Sequence, residues 1–388
     1  MRRFFNRVQC RDGLLATLFL LSSGALLMWP RESAQSVVEG LELCGTILIP
    51  SLFPFFVLSS MMVELGLSRY PGRLLGPIMA PLFRLNPSCS GALVLGWIGG
   101  YPVGARTAIS LYKKGECSRS EAEHLLAFCN NAGPAFALGV VGSGLLGSSF
   151  LGLLLYLTHL LSSLLVGIFL RPPSQNPRKP HIPRSSCSFS PSFPSALTHA
   201  VTGAAQSLLN LCSFVLFFSV VVRCAALSGL LSTLARPLSL LGIPTAITLP
   251  LLTGSLELSS GVLSLSGHSP LFHRAVTVAF LMGWAGLSVH CQVLALNDCG
   301  LSMKPYLQGK LLHGIFSAAL TAALLRFLPP QLCAAGAFPD PLNFPLPTDP
   351  MYWLSVSLFW ACSVCLLLLL LLLQERKKSS GNTRRHGL

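Results

Sequence analysis

Two apolar stretches in the first half of this chain hold residues that apolar stretches normally exclude. One reads Gly96-Trp97-Ile98-Gly99-Gly100-Tyr101-Pro102-Val103-Gly104-Ala105-Arg106, the other Asn130-Asn131-Ala132-Gly133-Pro134. Glycine lets a backbone turn and approach a ligand closely, and Pro102 frees a carbonyl of the preceding turn. Arg106 offers a guanidinium, which pairs well with a carboxylate. An ionisable group in an apolar segment is costly and faces a cavity or a partner. Arg106 therefore either contacts an anionic solute or pairs with a hairpin carbonyl or with Glu257. Asn130 and Asn131 before Gly133-Pro134 fit a broken helix whose freed groups line a cavity, or alternatively a helix-end cap at a membrane surface.

The second half carries counterparts in Thr253-Gly254-Ser255-Leu256-Glu257-Leu258-Ser259-Ser260-Gly261 and Gly283-Trp284-Ala285-Gly286-Leu287-Ser288-Val289-His290-Cys291-Gln292. Glu257 is the one acidic residue between Glu123 and Asp298. At membrane depth it suits a proton-coupling role, and a static salt bridge is the alternative. His290 and Gln292 are placed to bind an aromatic or anionic solute, with a helix–helix hydrogen bond as the other reading of His290. Glu64 is expected at a membrane interface. No G-x-S-x-G, P-loop or H-E-x-x-H sequence occurs, so the chain is read as no enzyme and any transport as secondary.

The elements that must position these residues are membrane helices. Of 388 residues, 52% are hydrophobic and 10% charged, against about 25% charged in soluble proteins. Such apolar content excludes a disordered chain and argues against an ordinary soluble enzyme. The net charge of +14 does not indicate nucleic-acid binding, because the basic residues form short groups between apolar runs rather than a charged face interleaved with aromatics. Apolar segments run 13–30, 44–66, 88–112, 124–147, 149–170, 203–227, 242–266, 271–296, 306–328 and 352–373, each near the 20 or so residues that cross a bilayer. Arg2, Arg3, Arg7 and Arg11 precede the first, and no A-x-A-like site follows it. An uncleaved helix is expected there rather than a signal peptide.

If every segment spanned fully, the basic stretches 113–119 and 171–184 would fall outside, against the positive-inside rule. Reading 88–112 and 242–266 as re-entrant hairpins removes the conflict. The expected fold is then an all-α polytopic membrane protein with about eight full transmembrane helices plus two re-entrant hairpins, both termini cytoplasmic. Its inside segments are 1–12, 67–87, 113–123, 171–200, 297–305 and 374–388. All Lys and Arg except Arg31, Arg106, Arg223, Arg236, Arg274 and Arg326 lie in or close to them.

The Pro-, Ser- and Arg-rich segment 171–199 reads as a cytoplasmic linker between two halves. Leu52-Phe53-Pro54-Phe55-Phe56-Val57 in the first half echoes Ser213-Phe214-Val215-Leu216-Phe217-Phe218 in the second. Each half continues into a Gly-rich hairpin and a broken helix. The halves start on opposite sides, which makes an inverted repeat, a transporter plan that places substrate at the paired interruptions. The predicted organisation is an N-terminal transmembrane helix (1–34), a first repeat (35–170), the linker (171–199), a second repeat (200–328), and an outside loop, last helix and basic tail (329–388). The 13 cysteines lack zinc spacing and read as small buried residues. No disulfide, metal or cofactor is assigned.

The blocks Leu52–Val57, Gly96–Arg106 and Leu126-Ala127-Phe128-Cys129-Asn130-Asn131-Ala132-Gly133-Pro134, with Gly283–His290, resemble the sporulation integral membrane protein family of endospore-forming Firmicutes over residues 35–325. That family carries two nucleoside-recognition (gate) domains. The resemblance implies movement of dipicolinic acid from the mother cell toward the forespore, across the outer forespore membrane. Its substrate, a planar aromatic dicarboxylate, wants a cation, amide donors and an aromatic surface. Substrate contacts are accordingly expected from Gly100, Tyr101, Pro102, Gly104, Arg106, Asn130, Asn131, Gly133, Ser255, Ser259, Trp284, Ser288 and His290, with Glu257 as coupling candidate. Expected partners are a small anionic solute, the lipid bilayer and a homo-oligomer, with no nucleic acid. A nucleoside or other small-solute transporter and a non-transporting spore-envelope scaffold remain alternative functions.

Overall fold

The computed structural model describes residues 2–65, 75–171, 192–240, 242–265 and 269–327. The chain divides into the units Met1–Phe338 and Pro339–Leu388, and the described residues belong to the first. The predicted last helix, 352–373, and most of the linker lie outside them.

Among the described residues every regular element is helical. Helix α1 (Arg2–Met28) leads into α2 (Pro30–Leu43), which passes through a π-helical turn, Cys44–Leu48, into α3 (Ile49–Glu64). The axis bends by 57° there, where Pro50 and Pro54 each remove a backbone donor. Next come α4 (Ser90–Gly99), α5 (Val103–Lys113), α6 (Arg119–Cys129), a π-helical stretch Ala135–Leu145 and α7 (Ser149–Phe169). The second half supplies α8 (Phe193–Leu227), α9 (Leu230–Leu240), α10 (Thr245–Leu256), α11 (Leu258–Leu263), α12 (Leu271–Trp284), α13 (Gly286–Leu296) and α14 (Lys304–Phe327). Helix α8 starts seven residues inside the segment read as linker. Pro194 in the first turn is compatible with a helix start, and Ala196, Ala200 and Ala204 bury one stripe of it.

The element order recurs. In each half a long helix (α3; α8) precedes two short helices meeting at a break (α4 and α5 at Gly100; α10 and α11 at Glu257). Next stands an interrupted helix (α6 and the π-helical stretch; α12 and α13), then a long helix (α7; α14).

Helices α7 and α14 are inside-out by the standard of a soluble protein. In α7, Leu153, Leu157, Leu161 and Leu165 are exposed while Thr158, His159, Ser162 and Ser163 are buried. In α14, Leu307, Leu311 and Ile315 are exposed while Lys310, His313, Ser317 and Thr321 are buried. Exposed apolar rows over a polar interior are stable in lipid, where leucine has nothing to gain from burial and a polar group does. Ser149–Phe169, Phe193–Leu227, Leu271–Leu296 and Lys304–Phe327 are long and apolar enough to cross a membrane, and the bent pair Pro30–Leu48 with Leu52–Met62 would make one more. The chain is an integral membrane protein.

Polar contacts tie distant loops together. Lys113 Nζ lies 2.6 Å from Asp298 Oδ1, Arg119 bonds the Gly300 carbonyl, and Ser302 N–H donates to Glu123 at 2.8 Å. The hydrogen bond from Lys113 holds the Asp298 carboxyl below the usual carboxylate range. A second set joins Arg223 to both oxygens of Glu39 at 3.0 Å and Arg274 to the Leu145 carbonyl at 3.4 Å. The cysteines Cys44, Cys89, Cys117 and Cys129 are buried and form no disulfide with one another.

Candidate functional site

The four helix breaks are packed in pairs. Gly100 ends α4 with φ 71°, a conformation open to glycine, and a Cβ there would stand 2.9 Å from the Gly133 nitrogen. In the second half Gly286 has φ 79°, and its Cβ would stand 3.0 Å from the Gly254 carbonyl and 3.1 Å from the Leu258 nitrogen. Each hairpin break therefore touches the interrupted helix of its own half, backbone against backbone.

Breaking α6 at Asn130 strands backbone groups, which in a membrane must find partners within the protein. Side chains from two other helices take them. Ala132 N–H donates to His159 Nε2 on α7 at 3.0 Å, and Lys310 Nζ on α14 donates to the Asn130 carbonyl at 2.9 Å. Asn131 Nδ2 turns back onto the Phe128 carbonyl at 2.9 Å. Both asparagines are completely buried. Neither amide atom of Asn130 completes a hydrogen bond, although the Tyr306 hydroxyl lies beside it.

The break at Glu257 is satisfied differently. Its carboxylate accepts from Ser259 N–H at 3.1 Å and Ser260 N–H at 2.6 Å, capping α11. These donors at a helix N-terminus offset the charge without a cation. Behind it Trp284 Nε1 donates to the Ser255 carbonyl at 3.1 Å. The His290 ring meets Trp284 edge-on at 4.5 Å and Tyr306 at 5.3 Å, and its Nδ1 pairs with the Tyr306 hydroxyl at 3.0 Å. Tyr101 crosses between the halves, its hydroxyl donating to the Met282 carbonyl of α12.

These breaks enclose a cavity of about 50 Å³, whose wall includes Gly100, Tyr101 and Gly133 from the first half and Glu257, Ser259 and Ser288 from the second. Gln292 completes its polar side and Phe55, Phe56 and Phe136 its apolar side. That volume holds a few waters, well short of the 300 Å³ or more that small-molecule pockets reach. A second cavity, about 460 Å³, lies between α2 and α8. Glu39, Glu42 and Arg223 line it, and it extends to Ser260, whose N–H donates to the Glu257 carboxylate.

The remaining residues singled out in the sequence fall into three groups. Asn130, Asn131, Trp284 and His290 form the polar cluster behind the cavity, with Pro102 buried beside Tyr101. Ser255 contributes its carbonyl, its hydroxyl being spent on Leu251, while Gly104 packs against the Cys129 carbonyl. Arg106 and Glu64 are exposed. Arg106 stands on the face of α5 opposite its buried residues Gly104, Ala105, Ala108 and Ile109, and Glu257 is engaged by Ser259 and Ser260 instead. Sequence reading passed over Lys310, Tyr306, His159 and His313. The rule that flagged Arg106, a polar group within an apolar segment, applies equally to Lys310 and His313 in 306–328 and to His159 in 149–170.

Comparison with known proteins adds three findings. The nucleoside recognition (Gate) family model matches residues 46–168, within the first half of the chain. The sporulation integral membrane protein YlbJ of Bacillus subtilis (strain 168) is 32% identical over 337 residues, covering 81% of this chain and 82% of that protein. Uncharacterized protein BpOF4_10220 of Alkalihalophilus pseudofirmus (strain ATCC BAA-2126 / JCM 17055 / OF4) is 25% identical over 169 residues, 42% of this chain and 35% of that protein. No solved structure matches.

Proposed function

The chain belongs to the sporulation integral membrane protein family, and from that premise we propose that it is a secondary transporter. Its substrate is dipicolinic acid, carried from the mother cell toward the forespore through the outer forespore membrane. The observation that carries this reading is the meeting of helix breaks from both halves on one buried cavity. Interrupted helices at matching places in two repeats are where inverted-repeat transporters bind substrate. A scaffold has no use for buried Glu257, Asn130, Asn131 and Lys310, each costly in a membrane. The 50 Å³ volume fits a closed state of an alternating-access cycle, and the larger cavity ending at Ser260 fits an approach to it.

The topology that goes with this reading has about eight spans and two re-entrant hairpins, both termini cytoplasmic. The Lys113–Asp298 pair supports it. Were 88–112 and 242–266 full spans, residues 113 and 298 would lie on opposite sides of the membrane. With both as hairpins they share a side, and the Glu39–Arg223 pair shares the other. Cys117 is buried, so Lys114→Cys and Asp298→Cys are the useful labelling sites. In a background freed of native cysteines, an impermeant thiol reagent should reach both from the cytoplasmic face. Labelling from opposite faces would contradict the hairpins.

The name of the matching family model favours one other substrate class, nucleosides. Uptake into vesicles holding the full chain separates the two. Labelled dipicolinate should enter above empty vesicles, and unlabelled dipicolinate should compete where a tenfold excess of adenosine or uridine does not. Competition by nucleosides alone would replace the proposed substrate.

A further inference from the structure

Lys310 is 1% exposed, and its surroundings offer its charge little. One of the three ammonium N–H groups is given to the Asn130 carbonyl at 2.9 Å. The nitrogen sits 5.2 Å above the centre of the Tyr101 ring, a cation–π contact. His159 from α7, His290 from α13 and His313 from α14 are close enough to act on its charge, as is Cys129 from α6. Among the described residues no carboxylate joins them. The ion pairs Lys113–Asp298, Arg119–Glu123 and Arg223–Glu39 do not involve it, and the buried acid Glu257 is bonded to Ser259 and Ser260.

A buried cation normally keeps a counter-ion, because desolvation outweighs what a carbonyl and a ring return. Among the described residues the Asn130 carbonyl is the one hydrogen-bond partner of the ammonium, and Asn130 Nδ2 and His290 Nε2 complete no hydrogen bond. Tyr101, Tyr306, His290 and Trp284 supply flat aromatic walls. An ammonium and an amide N–H inside such walls match a planar aromatic carboxylate. Tyr101 both lines the cavity and lies against Lys310, so it partitions the one from the other. Its hydroxyl is held by the Met282 carbonyl of the opposite half.

We propose that Lys310 is the anchor for one carboxylate of the transported solute, and that Tyr101 covers it until the solute enters from the cavity. This rests on the transport reading above. As the halves part, the bond from Tyr101 to Met282 breaks, the ring swings aside, and the ammonium exchanges the ring for a carboxylate.

The test uses the full chain in vesicles, with pyridine-2,6-dicarboxylate as probe. Two quantities are read, uptake and the rise in Tm that the probe produces. Lys310→Met should cut uptake by roughly 10- to 100-fold, the effect of losing one charge-assisted hydrogen bond, and should abolish the probe-induced rise. Its Tm without probe should change little, because removing an uncompensated buried charge offsets leaving the Asn130 carbonyl without its donor. Lys310→Arg keeps the cation and should keep a measurable probe-induced rise. Wild-type uptake and rise in Lys310→Met would overturn the anchor and leave the transport reading standing. Lowered Tm together with lost uptake in both variants would assign Lys310 a structural role and overturn it too. No uptake by the wild-type chain would remove the transport reading and the anchor together.

Discussion

Gly96→Ala is expected to leave almost no folded protein in the membrane. A Cβ at Gly96 would lie 1.7 Å from the Cys129 carbonyl oxygen and 3.2 Å from the Gly104 Cα. The obstacle is backbone, so no rotamer change relieves it. Helix α4 would have to move off the end of α6, and that shift would carry Gly100 away from Gly133 and open the paired breaks. Overpacking costs about 1–3 kcal/mol where side chains can yield. Against backbone at this distance the cost should exceed ~3 kcal/mol, a large share of the 5–15 kcal/mol that holds a protein folded. Gly91→Ala in the same helix is the control. A Cβ there meets nothing within 4 Å, and alanine favours the helix by up to about 1 kcal/mol. Thermal melting in detergent should show Gly91→Ala at or slightly above wild type and Gly96→Ala unmeasurable or far below. Equal melting of the two would contradict the close approach of α4 to α6.

The second large effect is expected at Glu257. Glu257→Ala orphans the Ser259 and Ser260 N–H groups inside the protein. Unmet buried donors cost about 1–3 kcal/mol each, so a loss of about 2–6 kcal/mol in stability should accompany loss of transport. Glu257→Gln is more informative. Its carbonyl keeps one of the two N–H partners, so much of the cap survives, while the site can no longer gain or lose a proton. A dianionic solute entering the cavity beside an ionised Glu257 is repelled, so a proton on Glu257 would have to accompany it. The glutamine variant is permanently neutral. Exchange of dipicolinate across the membrane should therefore persist within about threefold of wild type, while uptake driven by a pH gradient should fall at least tenfold, the fingerprint of lost coupling rather than lost binding. Equal retention of both activities would remove Glu257 from the coupling role and leave it as a helix cap.

Residue patterns carried much of this architecture. Gly99-Gly100-Tyr101-Pro102 and Asn130–Pro134 announced their breaks through glycine, proline and paired amides, whose backbone preferences act locally. Glu257 announced its break through charge in an apolar run. Ala285, at φ 77°, is an alanine in a conformation glycine prefers, and Gly286 beside it supplied the readable signal. Arg106 was misplaced relative to the cavity for want of helical phase. Gly104, Ala105, Ala108 and Ile109 form the inner face of α5, and Arg106 shares the outer face with Lys113, seven residues on. Lys310 went unnoticed because one lysine near the start of an apolar segment looks like an interfacial charge. Its burial depends on how α14 seats against α6 and α7, where a Cβ on Gly309 would stand 2.2 Å from the Ala127 carbonyl oxygen. That contact is between residues far apart in sequence and leaves no local trace.

Counterflow tests the central claim most directly. Vesicles holding the full chain are loaded with unlabelled dipicolinate, diluted into a trace of labelled dipicolinate, and followed in time with no ion gradient. A chain whose two repeats alternate around one cavity should draw label inward to a transient peak above equilibrium, several-fold over vesicles loaded with buffer. Label that never exceeds the level in protein-free vesicles would contradict carriage of dipicolinate by this protein.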